Sequence, residues 1–320
     1  LAKNPLLFNG TKFRLAGFST EGERSSPTPA PLPPPAAADA AVDAVDGTEV
    51  VEGEEGGATA AATLATPLPP RSRSPSSPPT KKLRLRLGLT DYRTFRGEWP
   101  LLVSVDGTNW SPSAARLTAD GARDFPWLEG AYLSQKLGVG AVVETSDGFL
   151  LSLRRSSGVG EGQGMMGAPG GHPEPQKIGL TGETLSALSG KHPASRRKLG
   201  QQATDELFDS AVQEVVDETN VPRSELGEAL LSGVVRQGNS FGAPTAAFII
   251  PCFLDRAAVS ALYARGAKEA FESTEMQMIP GTEIAVEGAA AWFAKRGLQT
   301  TPSFEGALEL WRAHRLRGLA

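Results

Sequence analysis

Cysteine is almost absent from this chain of 320 residues: Cys252 is the single one. That count excludes an intramolecular disulfide and suits a reducing compartment, so the expected location is cytoplasmic. Cys252 lies in the apolar run Phe248-Ile249-Ile250-Pro251-Cys252-Phe253-Leu254, where a buried structural thiol is expected rather than a nucleophile. Histidine is scarce as well. His172 has no second His or Cys at ligand spacing, so a loop-structural role is expected for it. No apolar stretch approaches the roughly 18 residues of a transmembrane helix, and no membrane association is expected. A charge excess is also missing. Lys and Arg number 32 against 36 Asp and Glu, a net charge of −4, which argues against a general nucleic-acid binder. The chain starts at Leu1 rather than Met, so residues ahead of it, with any targeting peptide, are expected.

Proline and glycine are plentiful, 25 and 36, and unevenly spread. Residues 1–18 carry Leu6, Leu7, Phe8, Phe13, Leu15 and Phe18 and read as ordered. Residues 19–80 hold Pro31-Leu32-Pro33-Pro34-Pro35, an Ala/Asp/Glu/Gly tract and Arg71-Ser72-Arg73-Ser74-Pro75. With so few large apolar residues, burial there would not offset chain entropy, and a long disordered insertion is expected. Lys82-Leu83-Arg84-Leu85-Arg86-Leu87 alternates with period two and reads as a half-buried strand, followed by a turn and short helix over 88–95. A helix is expected over 126–136. Strands are expected at 141–144 and 149–154 around an Asp147-Gly148 turn, and again at 230–236 and 246–254. Helices are expected at 205–219, 256–265 and 304–315, with Thr204 or Asp205 capping the first, and Asn220 and Pro222 ending it. The polar stretch 177–202 reads as a second insertion. Alternating strands and helices imply an α/β layered domain.

The run Gln213-Glu214-Val215-Val216-Asp217-Glu218-Thr219-Asn220-Val221 carries the chemistry. Glu214, Asp217 and Glu218 stand at i, i+3 and i+4 and share one helix face. Like charges so close are unfavourable unless a cation sits among them. Hard oxygen ligands suit Mg²⁺, which takes few carboxylates and shares its shell with water and phosphate.

Gly170-Gly171-His172-Pro173-Glu174-Pro175 followed by that helix resembles a divergent Nudix box: Gly, five residues, Glu, seven residues, then Arg-Glu-apolar-x-Glu-Glu-x-Gly-apolar. Glu214, Val215, Glu218 and Val221 match, and Asp217 keeps a carboxylate. Asp205 falls where the box has its first Glu, Gln213 replaces the Arg, and Asn220 replaces the Gly. Further segments widen the resemblance: Lys12-Phe13-Arg14-Leu15, Leu85-Arg86-Leu87-Gly88-Leu89-Thr90-Asp91-Tyr92-Arg93-Thr94-Phe95, Gly107-Thr108-Asn109-Trp110-Ser111, Leu137-Gly138-Val139-Gly140-Ala141 and Glu206-Leu207-Phe208. Together they resemble the UDP-glucose/UDP-galactose diphosphatase branch of the Nudix superfamily.

The resemblance implies an α/β/α sandwich with a mixed sheet over 136–320, and a small N-terminal subdomain from 1–18 and 81–135. It implies Mg²⁺-dependent hydrolysis of UDP-glucose and UDP-galactose to UMP and hexose 1-phosphate, with a nucleotide sugar as partner and no nucleic acid. In that branch the metal ligands fall on Glu214 and Glu218. Substrate contacts fall on Phe8, Tyr92, Arg155, Gly160 and Ser303, and Gly167 stands where the branch can carry an acidic contact. Arg155 can offer two donors to a phosphate, and Phe8 and Tyr92 can pack on the uracil. Read as residues alone, Phe8 and Tyr92 are equally core aromatics, and Ser303 caps a helix starting at Phe304. The general base stays open between Asp217 and Glu272. The alternatives are a hydrolase of another nucleoside diphosphate derivative such as ADP-ribose, or a non-catalytic nucleotide-sugar-binding module.

Overall fold

The computed structural model describes residues 11–20, 42–45, 83–91, 120, 134–188, 193–237 and 242–318. Phe8 and Tyr92 lie outside the described residues. The main sheet runs β10-β5-β4-β9-β8. Its strands are β4 (Gly138–Glu144), β5 (Phe149–Arg155), β8 (Leu230–Gln237), β9 (Ala243–Pro251) and β10 (Ser273–Pro280). β4 pairs parallel with β9 and the remaining ladders are antiparallel, so the sheet is mixed.

Period-two alternation sorts the side chains into two layers. Val139, Ala141 and Val143 of β4, with Ala246, Phe248 and Ile250 of β9, face one core. Helix α2 (Pro193–Thr219) closes that side through Leu199, Ala203, Leu207, Ala211 and Val215, a buried line at every fourth residue. Val142, Ala247 and Ile249 face the opposite core, closed by Phe304, Ala307, Leu308 and Trp311 of α6 (Pro302–Leu316). The short helices α4 (Gly281–Glu287) and α5 (Ala289–Lys295) pack on that second side through Ile284, Trp292 and Phe293. The result is the expected α/β/α sandwich. Cys252 is buried, as its apolar run suggested.

β4 and β5 pair at their turn ends through Glu144 and Leu150 and then diverge. Two short strands fill the gap: β6 (Met166–Gly167) on β5 and β7 (Gly170–Gly171) on β4. This wedge brings the Gly-Gly loop against α2.

A second sheet, order β1-β3-β2, is formed by β1 (Thr11–Thr20), β2 (Val42–Val45) and β3 (Leu83–Asp91). It joins the sandwich where Leu137 N–H donates to Phe13 O at 2.8 Å and Lys136 bridges Arg14.

Several sequence expectations change. Residues 88–91 continue β3 rather than turning. Residues 134–136 are not helical, because their backbone pairs with β1; residues 126–133 lie outside the described residues. Four residues of the expected 19–80 insertion form β2, in register with β3 from Val42↔Leu87 to Val45↔Arg84. The 177–202 stretch is largely helical, as α1 (Gly182–Leu188) and the first turns of α2. Thr204 and Asp205 therefore sit inside α2 and cap nothing: Thr204 Oγ1 donates to Gly200 O, and Asp205 accepts from Gln201. Among the described residues, no helix is long and apolar enough to cross a membrane.

Candidate active site

α2 presents a polar stripe to the wedge. Glu206, Ser210, Glu214 and Glu218 follow one another at i+4 and so stack on one face. Each acidic member meets the loop differently. Glu206 accepts from Glu174 N–H at 2.9 Å and from Ser210 Oγ at 2.8 Å. Glu218 accepts from Gly170 N–H at 2.8 Å. Glu214 packs on Gly171 so closely that a Cβ built there would lie 2.1 Å from its Oε1. Glu206 anchors the loop, whereas Asp205, counted to the position of the box's first Glu, is exposed, one residue and about 100° around the helix.

Glu214 opens into a cavity of ≈ 320 Å³, which Arg155, Gly160 and Ser303 also line. The structure brings these four expected residues together. Arg155 ends β5, and its Nε donates to Glu161 O at 2.9 Å. Gly160 belongs to the Gly-rich loop, and Ser303 to the first turn of α6. The cap of α6 is Thr301, whose Oγ1 accepts from Phe304 N–H, because the helix begins at Pro302 rather than Phe304. Gly167 faces Arg155: a Cβ there would sit 3.5 Å from Arg155 Cδ. An acidic side chain at this position would lie along the guanidinium, and this chain leaves that space open.

Asp217 points elsewhere. It accepts from Lys268 Nζ at 2.6 Å and Gln213 Nε2 at 2.8 Å. Gln213, in place of the box arginine, therefore steadies Asp217. Asn220, in place of the box glycine, adopts φ 61° and donates to Leu262 O at 3.1 Å. Glu269 and Glu272, from the loop before β10, line the cavity with Glu214.

The electrostatics are polarised. Burial, then Glu269, Glu272 and Asp217, push Glu214 up to about 8. Burial raises Glu218 well above the carboxylate range, with Glu214 and Glu272 adding to it. Burial followed by Glu269 raises Glu272. Lys12, Lys136 and Arg155 stand among these acids on the same cavity. Lys136 pairs with Glu161 at 3.3 Å, and burial lowers both lysines. His172 is held neutral by burial and by these three cations, which fits the loop role expected of it.

Glu214 and Glu218 are suited to hold a divalent cation. Their ionised forms are disfavoured as they stand, and a cation would relieve both. Among the described residues no three Asp, Glu, His or Cys side chains form a ready-made cage.

The raised Glu214 has a measurable consequence. Its folded value, about 8, exceeds its ordinary 4.5, so stability present below pH 4.5 is lost as pH rises through 8. In chelator, the fold is expected to weaken over that window, by at most about 5 kcal/mol from this group. A divalent cation should reverse the loss at pH 8 and matter little at pH 5. Thermal unfolding against pH checks this; equal stabilisation at both values would contradict it.

Lys12, Lys136, Glu161, Glu206 and Glu269 were not assigned to the site from sequence. Glu206 had a signal, since it continues the i+4 series back from Glu214. Lys12 had one too, as a cation alternating with Phe13 and Leu15. Lys136 and Glu269 had none.

The α/β/α sandwich, with its buried carboxylate helix packed against the Gly-Gly loop, frames the candidate site. The mouse protein called uridine diphosphate glucose pyrophosphatase NUDT22 is 38% identical over 240 residues, covering 75% of this chain and 70% of that protein. The human protein of the same name is 42% identical over 210 residues, covering 66% and 61%. Nudix hydrolase 9 of Arabidopsis thaliana is 36% identical over 200 residues, covering 62% and 58%. No protein-family model matches. The chain belongs to the Nudix hydrolases, and its similarity runs to the UDP-glucose pyrophosphatases among them.

Proposed function

We propose that the protein hydrolyses the pyrophosphate of UDP-glucose and UDP-galactose to UMP and hexose 1-phosphate, with Mg²⁺ as its ion. The observation that carries this is one cavity lined by Glu214, Glu272 and Arg155, with the buried Glu218 one helical turn from Glu214 on the same helix face. The relatives' names support the substrate. The ion on Glu214 and Glu218 would offset phosphate charge and acidify a water.

The chain's own residues supply the rest. Arg155 is pre-aimed by Glu161 O and offers its remaining N–H groups to a phosphate oxygen. Gly160 lets backbone approach the ligand, and Ser303 offers a hydroxyl from the start of α6. Phe8 and Tyr92 remain the proposed uracil contacts. Glu272 is the proposed general base. It lines the cavity and is raised by burial and by Glu269, whereas Asp217 is engaged by Lys268 and Gln213. Water's oxygen bonds to phosphorus, its proton passes to the base, and the bridging P–O bond breaks.

Initial rates with UDP-glucose, UDP-galactose and ADP-ribose at one concentration test the substrate. Both UDP-hexoses are expected to be turned over faster, by about tenfold or more, a difference of about 1.4 kcal/mol in barrier. Faster turnover of ADP-ribose would overturn the assignment.

A further inference from the structure

Two buried lysines enter the cavity without a part in the reaction above. They arrive side by side because the backbone forces it. Arg14 of β1 bridges Lys136 in antiparallel sense, and Leu137 N–H is bonded to Phe13 O. Residues two apart on a strand share a face. Lys12 and Lys136 therefore emerge on the cavity side, while Phe13 enters the core.

Lysine is rarely buried, yet both of these are, at 9% and 6% exposure. Arg155 adds a third cation to the same wall. Three like charges in a partly dry cavity repel each other unless an anion lies among them. Glu161 supplies part of that anion: its carboxylate lies on Lys136 and its carbonyl holds Arg155. It rides on a loop that turns through Gly162 and Gly164, both with left-handed φ. Among the described residues no carboxylate forms an ion pair with Lys12; Glu174 and Glu214 are the acids acting on it.

We propose that Lys12 and Lys136 form a seat for the phosphoryl groups of the substrate, which Glu161 holds closed with its own carboxylate until phosphate displaces it. The small N-terminal sheet thereby contributes directly to the site, through β1. The inference rests on the phosphoanhydride reading above and names two further residues for it. A compact ammonium suits this task, since it follows a phosphate oxygen as a point charge without fixed geometry.

Calorimetric titration of the full chain with inorganic pyrophosphate, in chelator so that no metal contributes, is the test. Lys12→Met and Lys136→Met are each expected to weaken binding about tenfold or more, and Glu161→Gln to tighten it several-fold. Pyrophosphate affinity within twofold of wild type in Lys12→Met, weaker binding in Glu161→Gln, or no measurable wild-type binding would each overturn the proposal. Lys12→Met should unfold no earlier than wild type, because it removes a buried charge at nearly constant volume. If it does unfold earlier, Lys136→Met decides: weakened affinity with unchanged unfolding supports the seat, and affinity within twofold of wild type overturns it. Pyrophosphate has neither uracil nor sugar. Lysine-dependent binding without UDP-glucose turnover would therefore sink only the substrate assignment. Normal UMP release with lysine-independent binding would sink only the seat.

Discussion

Glu218→Gln is expected to lower turnover of UDP-glucose on the order of 10³-fold while leaving the fold intact. Glu218 is buried and its carboxylate takes Gly170 N–H at 2.8 Å. The glutamine amide has the same shape and keeps an oxygen for that donor, so the wedge between β4 and β5 stays in place. Only the charge is lost. Burial already drives Glu218 toward its neutral form, so the neutral amide should not destabilise the protein; the unfolding midpoint should hold or rise in chelator. The added stability that a divalent cation confers should shrink in parallel with activity. Turnover within tenfold of wild type would contradict the role given to Glu218, whatever the stability.

The two glycines of the wedge are expected to fail in opposite ways. Gly171→Ala places its Cβ 2.1 Å from Glu214 Oε1 and 2.5 Å from Cδ. Those atoms end a flexible side chain, so the carboxylate swings away and the fold survives. Activity should fall on the order of 10²-fold, the half-saturating divalent-ion concentration should rise, and stability should change by no more than about 1 kcal/mol. Gly170→Ala places its Cβ 2.4 Å from Val139 O and 3.0 Å from Gly140 Cα. That is backbone of a central strand, which cannot yield in a close-packed sheet. It should destabilise the protein by several kcal/mol, or prevent its folding. Expression yield, thermal unfolding and ion titration of the pair read the difference. Equal losses of stability in both variants would contradict the placement of Glu214 against Gly171.

The carboxylate face was legible because helical spacing turns sequence separation into position. Glu214 and Glu218 needed only the 3.6-residue period and the punctuation by Asn220 and Pro222, whereas Asp217, read onto the same face, turns to Lys268 and Gln213. The same period could have extended the helix backward. Leu199 and Ala203 continue the buried line of Leu207, Ala211 and Val215, but the exposed Ser195-Arg196-Arg197-Lys198 ahead of them reads as an insertion. Asp205 and Glu206 differ by a single step, and a motif counted in residues does not say which acid turns inward. β10 was missed because it is an edge strand with only Ser273 and Ile279 buried, so alternation is weak. The cations of Lys12 and Lys136 arise from pairing between β1 and a segment more than a hundred residues later. No local pattern encodes that contact.

The most direct test of the central claim is phosphorus NMR of UDP-glucose incubated with the protein, once with Mg²⁺ and once with chelator. With Mg²⁺ the pyrophosphate signals should give way to two phosphate monoesters, UMP and glucose 1-phosphate, and with chelator they should persist. Intact UDP-glucose alongside saturable binding would make this a nucleotide-sugar-binding module instead. Release of UDP and free glucose would show that the pyrophosphate is not the bond cleaved.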